Sequence, residues 1–203
     1  MKRQVDRETL DYYDSSGEQF VRDTLEIDFH EIQDEFLSYL KKGAKILDFG
    51  CGSGRDAKYF LDKGYSVEAL DGSETLCRLA AKYAGIPVRH QLFQELEEKD
   101  RYDGIWACAS VLHVKKTELP DVFQRLTRAL RPGGILYVSF KYGEFEGFRG
   151  GRYFTDFQED SFRNWAGQFS TLEEEKMWIT RDARRERSGE RWLNIILRRA
   201  DCR

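Results

Sequence analysis

The residues best suited to chemistry lie in one run, Ile46-Leu47-Asp48-Phe49-Gly50-Cys51-Gly52-Ser53-Gly54-Arg55-Asp56. Apolar residues followed by three alternate glycines read as a buried strand that breaks into a turn and opens a helix. With no Cβ at Gly50, Gly52 or Gly54, the backbone can come close to a bulky ligand. The spacing argues against two common ligands. A dinucleotide fingerprint, G-x-G-x-x-G, needs glycine where Arg55 stands. A phosphate loop needs a Lys-Ser or Lys-Thr pair, and none follows these glycines. What remains is a carboxylate, Asp48, ahead of G-x-G-x-G. A second carboxylate follows. Ser66–Leu70 reads as the next strand, closing on Asp71-Gly72-Ser73. A carboxylate at that strand end, about 20 residues beyond the glycine turn, is placed to bind the ribose hydroxyls of an adenosine. Ser73 then suits the N-cap of a helix over 73–84.

Strands and helices alternate around these groups, which predicts a mainly parallel sheet covered on both faces. Mostly helical apolar spacing over 17–41 predicts an N-terminal helix, with Tyr12-Tyr13-Asp14 ahead of it. Strands are expected at about 44–49, 66–70, 88–90, 102–108 and 135–140, then at 172–179 and 192–198. Helices are expected at about 54–63, 73–84, 117–130 and 157–168. Arg131-Pro132-Gly133-Gly134 stops a helix and launches a strand. The charged run 181–191 reads as a solvated connection between the last two strands.

Composition bounds the function classes. With 203 residues, 40% of them apolar, one substantial core is the natural expectation, so residues 1–203 read as a single domain. The net charge of −3 gives no global field for nucleic acid or an anionic membrane. No apolar run approaches the roughly 20 residues of a membrane span. The charged start Met1–Glu8 lacks the apolar core of a signal peptide. Cys51, Cys77, Cys108 and Cys202 have no metal-binding spacing and read as free thiols in a reducing cytoplasm. No metal site is expected, and the oligomeric state is left open.

The order of the Asp48–Gly54 motif, Asp71, Tyr102-Asp103-Gly104-Ile105, Leu130-Arg131-Pro132-Gly133-Gly134 and a closing strand pair resembles the class I, Rossmann-like methyltransferases that use S-adenosylmethionine. Within that class, Gly50–Asp56 and the N-terminal helix resemble the small tellurite-resistance-type enzymes. The resemblance implies a doubly wound, seven-stranded sheet with an antiparallel last strand, and no separate substrate domain. It implies that Asp48, Gly50, Cys51, Gly52, Ser53, Gly54 and Arg55 surround the methionine part of the cofactor. Asp71, Gly72 and Ser73 would hold the ribose. Phe93 and Gln94 stand where the adenine is flanked, although the usual acidic residue there is missing. Ala107, Cys108 and Ala109 fall on the same sheet edge. The segment 1–41 is expected to supply a lid and helix, with Tyr13 closing over the cofactor.

Methyl transfer requires mainly alignment, because the sulfonium is already activated. His113, just beyond the fourth strand, is the candidate general base, and a structural hydrogen bond is its plainer role. Lys141 and Arg152 are candidate substrate residues. Gly147–Thr155 reads as a mobile loop over the pocket mouth, whose arginines would grip an anionic substrate. The expected acceptor is a small molecule or oxyanion. The alternatives are RNA or protein as acceptor, or a non-catalytic regulator that binds the cofactor. The N/D-P-P-Y/F element of base-amino methylation is absent after the fourth strand, and so is a Pro-Cys nucleophile. A closed cavity beside Lys141 and Arg152 would favour a small acceptor, and an open groove a macromolecule.

Overall fold

Residues 4–184, 187 and 189–200 are described by a computed structural model, residues 4–6 by backbone alone. Two helices replace the single one expected over 17–41: α1 (Gln4–Thr24) and α2 (His30–Ser38). The Thr24 hydroxyl donates back to the Phe20 carbonyl at 2.7 Å near the end of α1. The Asp28 carboxylate accepts the His30 N–H at 3.0 Å and launches α2. These short side chains give the backbone local partners in place of a continuous helix. Tyr12 and Tyr13 therefore lie inside α1, not ahead of a helix.

The remainder runs β1 (Lys45–Phe49), α3 (Arg55–Asp62), β2 (Ser66–Asp71), α4 (Glu74–Ala84), β3 (Val88–His90) and β4 (Tyr102–Ala107). Then come α5 (Leu119–Ala129), β5 (Leu130–Lys141), β6 (Glu146–Arg149), β7 (Arg152–Thr155), α6 (Glu159–Ala166), β8 (Leu172–Arg181) and β9 (Arg191–Arg199). The main sheet has seven strands in the order β3-β2-β1-β4-β5-β9-β8. Strands β1 to β5 are parallel, and β9 pairs antiparallel with both β5 and β8. This is the doubly wound architecture expected from the sequence, with strand order reversing between β1 and β4.

Neighbouring residues on the central strands enter opposite cores. Ile46, Trp106 and Tyr137 pack with Phe36 and Phe60 beneath α2 and α3. Leu47, Ile105 and Leu136 pack with Phe123 and Phe162 beneath α5 and α6. Both faces are thus dry, and burying each such Leu, Ile or Phe contributes roughly 1.5–3 kcal/mol. Trp106 stacks on Tyr137 with centroids 4.0 Å apart, which fixes β4 against β5.

The stretch 147–155 forms a hairpin where the sequence suggested a loop. Strands β6 and β7 pair antiparallel from Glu146↔Thr155 to Arg149↔Arg152. Gly150 and Gly151 both have positive φ, 54° and 77°, the requirement of a two-residue type I′ turn. Alternating Phe148, Tyr153 and Phe154 supply the strand character that the glycines obscured. Among the described residues no helix is long and apolar enough to cross a membrane.

Candidate active site

A cavity of about 230 Å³ opens at the carboxyl ends of the parallel strands, where the strand order reverses. Its floor is the glycine turn. Gly50, Cys51, Gly52, Ser53 and Arg55 line it, as do Asp71 and Gly72 at the end of β2. Gly50, Gly52 and Gly54 all have left-handed backbone, with φ of 80°, 54° and 79°. Their surroundings differ. A Cβ on Gly54 would meet the Ala80 backbone at 3.0 Å, so this glycine lets α3 pack on α4 and does not line the cavity. A Cβ on Gly52 would meet only the Phe20 ring, at 3.1 Å.

Asp71 ties the turn to β2. One of its oxygens accepts the Gly52 N–H and the other the Ser73 N–H, both at 2.9 Å. Burial raises the Asp71 carboxyl above its ordinary range, and the backbone N–H groups of Ser73, Gly52 and Gly72 oppose that rise. Ser73 itself is fully buried as the cap of α4, accepting Leu76 N–H, and stands behind the wall. Asp48 is also behind it. Its carboxylate lies beneath the turn, 2% exposed, with one oxygen unpartnered, and accepts a backbone hydrogen bond from Ala57. Burial, then the nearby Asp56 and Asp71, hold it well above the usual carboxylate range.

Asp56 closes the glycine motif, and the structure gives it a role that its place in the sequence does not specify. It accepts Gln33 Nε2 at 2.7 Å, Trp106 Nε1 at 2.8 Å and Arg55 Nε at 2.7 Å, joining α2, β4 and α3 under the cavity. Its position directly after Arg55 in the glycine motif was the available signal. Arg55 lies over the Phe29 ring at 4.5 Å, which seats its guanidinium away from open solvent.

Phe93 and Gln94 line the cavity, with Phe93 stacked on Phe49 at 4.3 Å. Cys108 and Ala109 line it too, whereas Ala107 is the fully buried last residue of β4. Ser110, 5% exposed, reaches the wall with its hydroxyl oxygen lacking a partner. Burial raises the thiols of Cys51 and Cys108, so both are neutral packing groups.

The far side is built by α1, the β6–β7 hairpin and the β8–β9 connection. Asp14 accepts from the Ser73 hydroxyl at 2.5 Å and from Thr75 N–H at 3.2 Å, fastening α1 to α4. Thr9 Oγ accepts the Tyr153 N–H at 3.1 Å, fastening α1 to β7. Helix α1 thereby spans the cavity and sets Tyr13 on its wall. Tyr13 Oη lies 2.9 Å from His113 Nε2, and His113 Nδ1 lies 2.6 Å from the Tyr153 carbonyl. A carbonyl only accepts, so Nδ1 carries the ring proton and Nε2 accepts the Tyr13 O–H. Burial lowers the His113 pKa to about 4, and the neighbouring Arg152 adds to the drop. Arg152 Nη1 donates to Tyr13 Oη at 3.3 Å.

Lys141, at the end of β5, lines the cavity as expected, but it is already paired. Its ammonium meets Asp182 at 3.2 Å and Glu190, and lies 4.0 Å over the Trp192 ring. The run 181–191 is therefore no purely solvated connection: Asp182 is buried and helps wall the cavity. Burial alone would raise its carboxyl; hydrogen bonds from Arg184 and Trp192 outweigh that and hold it below the ordinary range. Only the pairing of β9 with both β5 and β8 brings Asp182, Trp192 and Lys141 together, so no local spacing could have revealed the cluster. Among the described residues no group of three or more His, Cys, Asp or Glu side chains could hold a metal ion.

Residues 46–134 match the family model of a methyltransferase domain. A malonyl-[acyl-carrier protein] O-methyltransferase of Enterobacter lignolyticus (strain SCF1) is 32% identical over 100 residues, which are 47% of this chain and 38% of that protein. The chain thus spans well under half the length of that curated relative. Among solved structures, 1,6-didemethyltoxoflavin-N1-methyltransferase of Burkholderia thailandensis, with bound 1,6-didemethyltoxoflavin and S-adenosylhomocysteine, superposes with a TM-score of 0.77 at 20% identity. That match covers 97% of this chain and 88% of the other. Magnesium protoporphyrin IX methyltransferase of Synechocystis PCC 6803 with bound S-adenosylhomocysteine gives 0.74 at 18% identity, covering 97% and 100%. The match to the methyltransferase-domain model thus covers less than half of the chain, while the chain as a whole carries the Rossmann-like fold of these solved methyltransferases.

Proposed function

We propose that the cavity binds S-adenosylmethionine and transfers its methyl group to a small acceptor. The observation that carries the reading is the pairing of a left-handed glycine turn with the Asp71 carboxylate on one cavity wall. Gly50–Ser53 and Arg55 would seat the methionine part, Asp71 the ribose hydroxyls, and Phe93 with Gln94 the adenine. The unpartnered Ser110 hydroxyl is a buried polar group that such a ligand would satisfy. The cofactor supplies an activated methyl group, and the chain supplies alignment and exclusion of water. Tyr13 on α1 is in position to serve as the lid. His113 acts only through Tyr13: its Nε2 lone pair would draw the phenol proton as Tyr13 Oη takes one from a protonated acceptor.

Support for a small acceptor comes from the enclosing walls of α1, hairpin and β8–β9 connection, and from the small molecules named for several relatives. The likeness of Gly50–Asp56 to tellurite-resistance-type enzymes adds inorganic oxyanions to the classes worth testing. The direct test supplies methyl-labelled S-adenosylmethionine with a size-fractionated cell extract. Label entering the low-mass fraction is the expected result. Label confined to RNA or protein would overturn the small acceptor, and no transfer to any fraction would leave a binding protein without catalysis.

A further inference from the structure

Among the described residues, the charged side chains on the cavity wall that are not open to solvent have partners, Arg152 excepted; Arg181 and Arg187 line the wall as exposed side chains. Arg55 pairs with Asp56, and Lys141 with Asp182 and Glu190. Asp182 also receives Arg184. Asp71 takes two backbone N–H groups and stands where a ribose is expected. Arg152 pairs with no carboxylate among the described residues. Its guanidinium lies 4.6 Å from the Tyr12 ring centroid, 5.2 Å from Phe154 and 5.8 Å from Tyr13. Among the described residues the Tyr13 hydroxyl is its one hydrogen-bond acceptor, at a long 3.3 Å, and its buried Nε has no partner.

The other hairpin arginine makes the contrast. Arg149 Nη2 reaches both oxygens of Asp156, at 2.5 and 2.7 Å, so hairpin packing alone does not require an unpaired guanidinium. Arg152 also lines a smaller hollow beside the cavity, where Arg184 and Arg187 outnumber the one carboxylate, Asp23. A half-buried guanidinium set among three rings on a cavity wall, with no carboxylate partner, is suited to an added anion.

We propose that the methyl acceptor is an anion whose carboxylate or phosphate group is held by Arg152. The assignment to the acceptor rests on the methyltransferase reading and on topology. The groups expected to hold the cofactor stand at the ends of β1 and β2, on one side of β4. The hairpin that carries Arg152 is a separate two-stranded sheet that follows β5, the strand on the other side of β4. Tyr13 Oη, between Arg152 and His113, then sits beside the bound anion.

Benzoate and benzamide, alike in shape and different in charge, are the probes, titrated with and without saturating S-adenosylhomocysteine. The wild-type chain is expected to bind benzoate about tenfold or more tightly than benzamide, with inorganic phosphate competing. Arg152→Gln should abolish that preference while keeping S-adenosylhomocysteine affinity within about threefold, and Arg152→Lys should keep part of the preference. Equal binding of the two probes by the wild type would overturn the proposal. So would a preference that survives Arg152→Gln, or, where that variant does not fold, one left at full strength by Arg152→Lys. A tenfold loss of S-adenosylhomocysteine affinity with benzoate unaffected would move Arg152 to the cofactor and refute the acceptor role. Failure of the wild type to bind S-adenosylhomocysteine would defeat the methyltransferase reading alone. The benzoate arm without it still decides whether Arg152 holds an anion.

Discussion

The two sides of the cavity are made from different materials. Gly50, Gly52 and Asp71 belong to one β–α–β unit and present backbone and a single carboxylate. Tyr13, His113 and Arg152 come from α1, the turn after β4 and a hairpin, and they present hydroxyl, imidazole and guanidinium. The first side rests on the buried network around Asp56, which ties it to α2 and β4. The second rests on side-chain bonds between surface elements, such as Thr9 to Tyr153 and Asp14 to Ser73. A wall built from the core can hold one invariant ligand, while a wall built from appended elements can change without disturbing the sheet.

Asp56→Ala should have the largest effect, because it leaves Trp106 Nε1, Gln33 and Arg55 without their shared acceptor in a buried site. A loss of about 3–5 kcal/mol is expected, read as a fall in Tm and denaturation midpoint. An unchanged Tm would mean that the floor is not anchored as described. The second prediction concerns pH. His113 has a folded pKa of about 4 against the ordinary 6.5, so between those values the unfolded chain binds the extra proton. Stability from this group is full above pH 6.5 and declines as pH falls towards 4, by roughly 3 kcal/mol. His113→Gln should flatten that part of the curve relative to the wild type. Parallel curves for the two proteins would show that His113 is not held neutral.

These contrasts explain what could be read from the chain alone. The β1–α3–β2 unit was legible because its signals are local: an apolar run, glycines at fixed spacing, a carboxylate at a strand end and Ser73 as a cap. Asp48 and Ser73 were recognisable, but their depth behind the wall was not, since burial depends on how the turn folds over them. The division of 4–38 into α1 and α2 was missed because Asp28 and Thr24 act through short side-chain bonds that periodicity does not register. The stretch 147–155 reads as a mobile loop in sequence because its glycines break the strand pattern, yet Gly150 and Gly151 meet the φ demands of a type I′ turn. The pairing of Lys141 with Asp182 and Glu190 depends on strands β5, β8 and β9 meeting, and sequence spacing carries no trace of it.

The smallest effect sharpens the same comparison. Gly151→Ala places a Cβ on a left-handed residue, 3.2 Å from the Tyr12 ring. The expected loss is about 1 kcal/mol in thermal unfolding, with S-adenosylhomocysteine affinity retained, because the hairpin lies apart from the β1–β2 floor. A loss of several kcal/mol would show that the hairpin belongs to the core after all.

The most direct test of the central claim is a calorimetric titration with S-adenosylhomocysteine, comparing the wild type with Asp71→Asn and using NAD as the competing dinucleotide. One equivalent of S-adenosylhomocysteine should bind the wild type. Asp71→Asn should weaken it by about 1.5–3 kcal/mol through loss of charge-assisted ribose bonds, and NAD should bind more weakly than either. Tighter binding of NAD, or affinity for S-adenosylhomocysteine that ignores Asp71, would contradict the account.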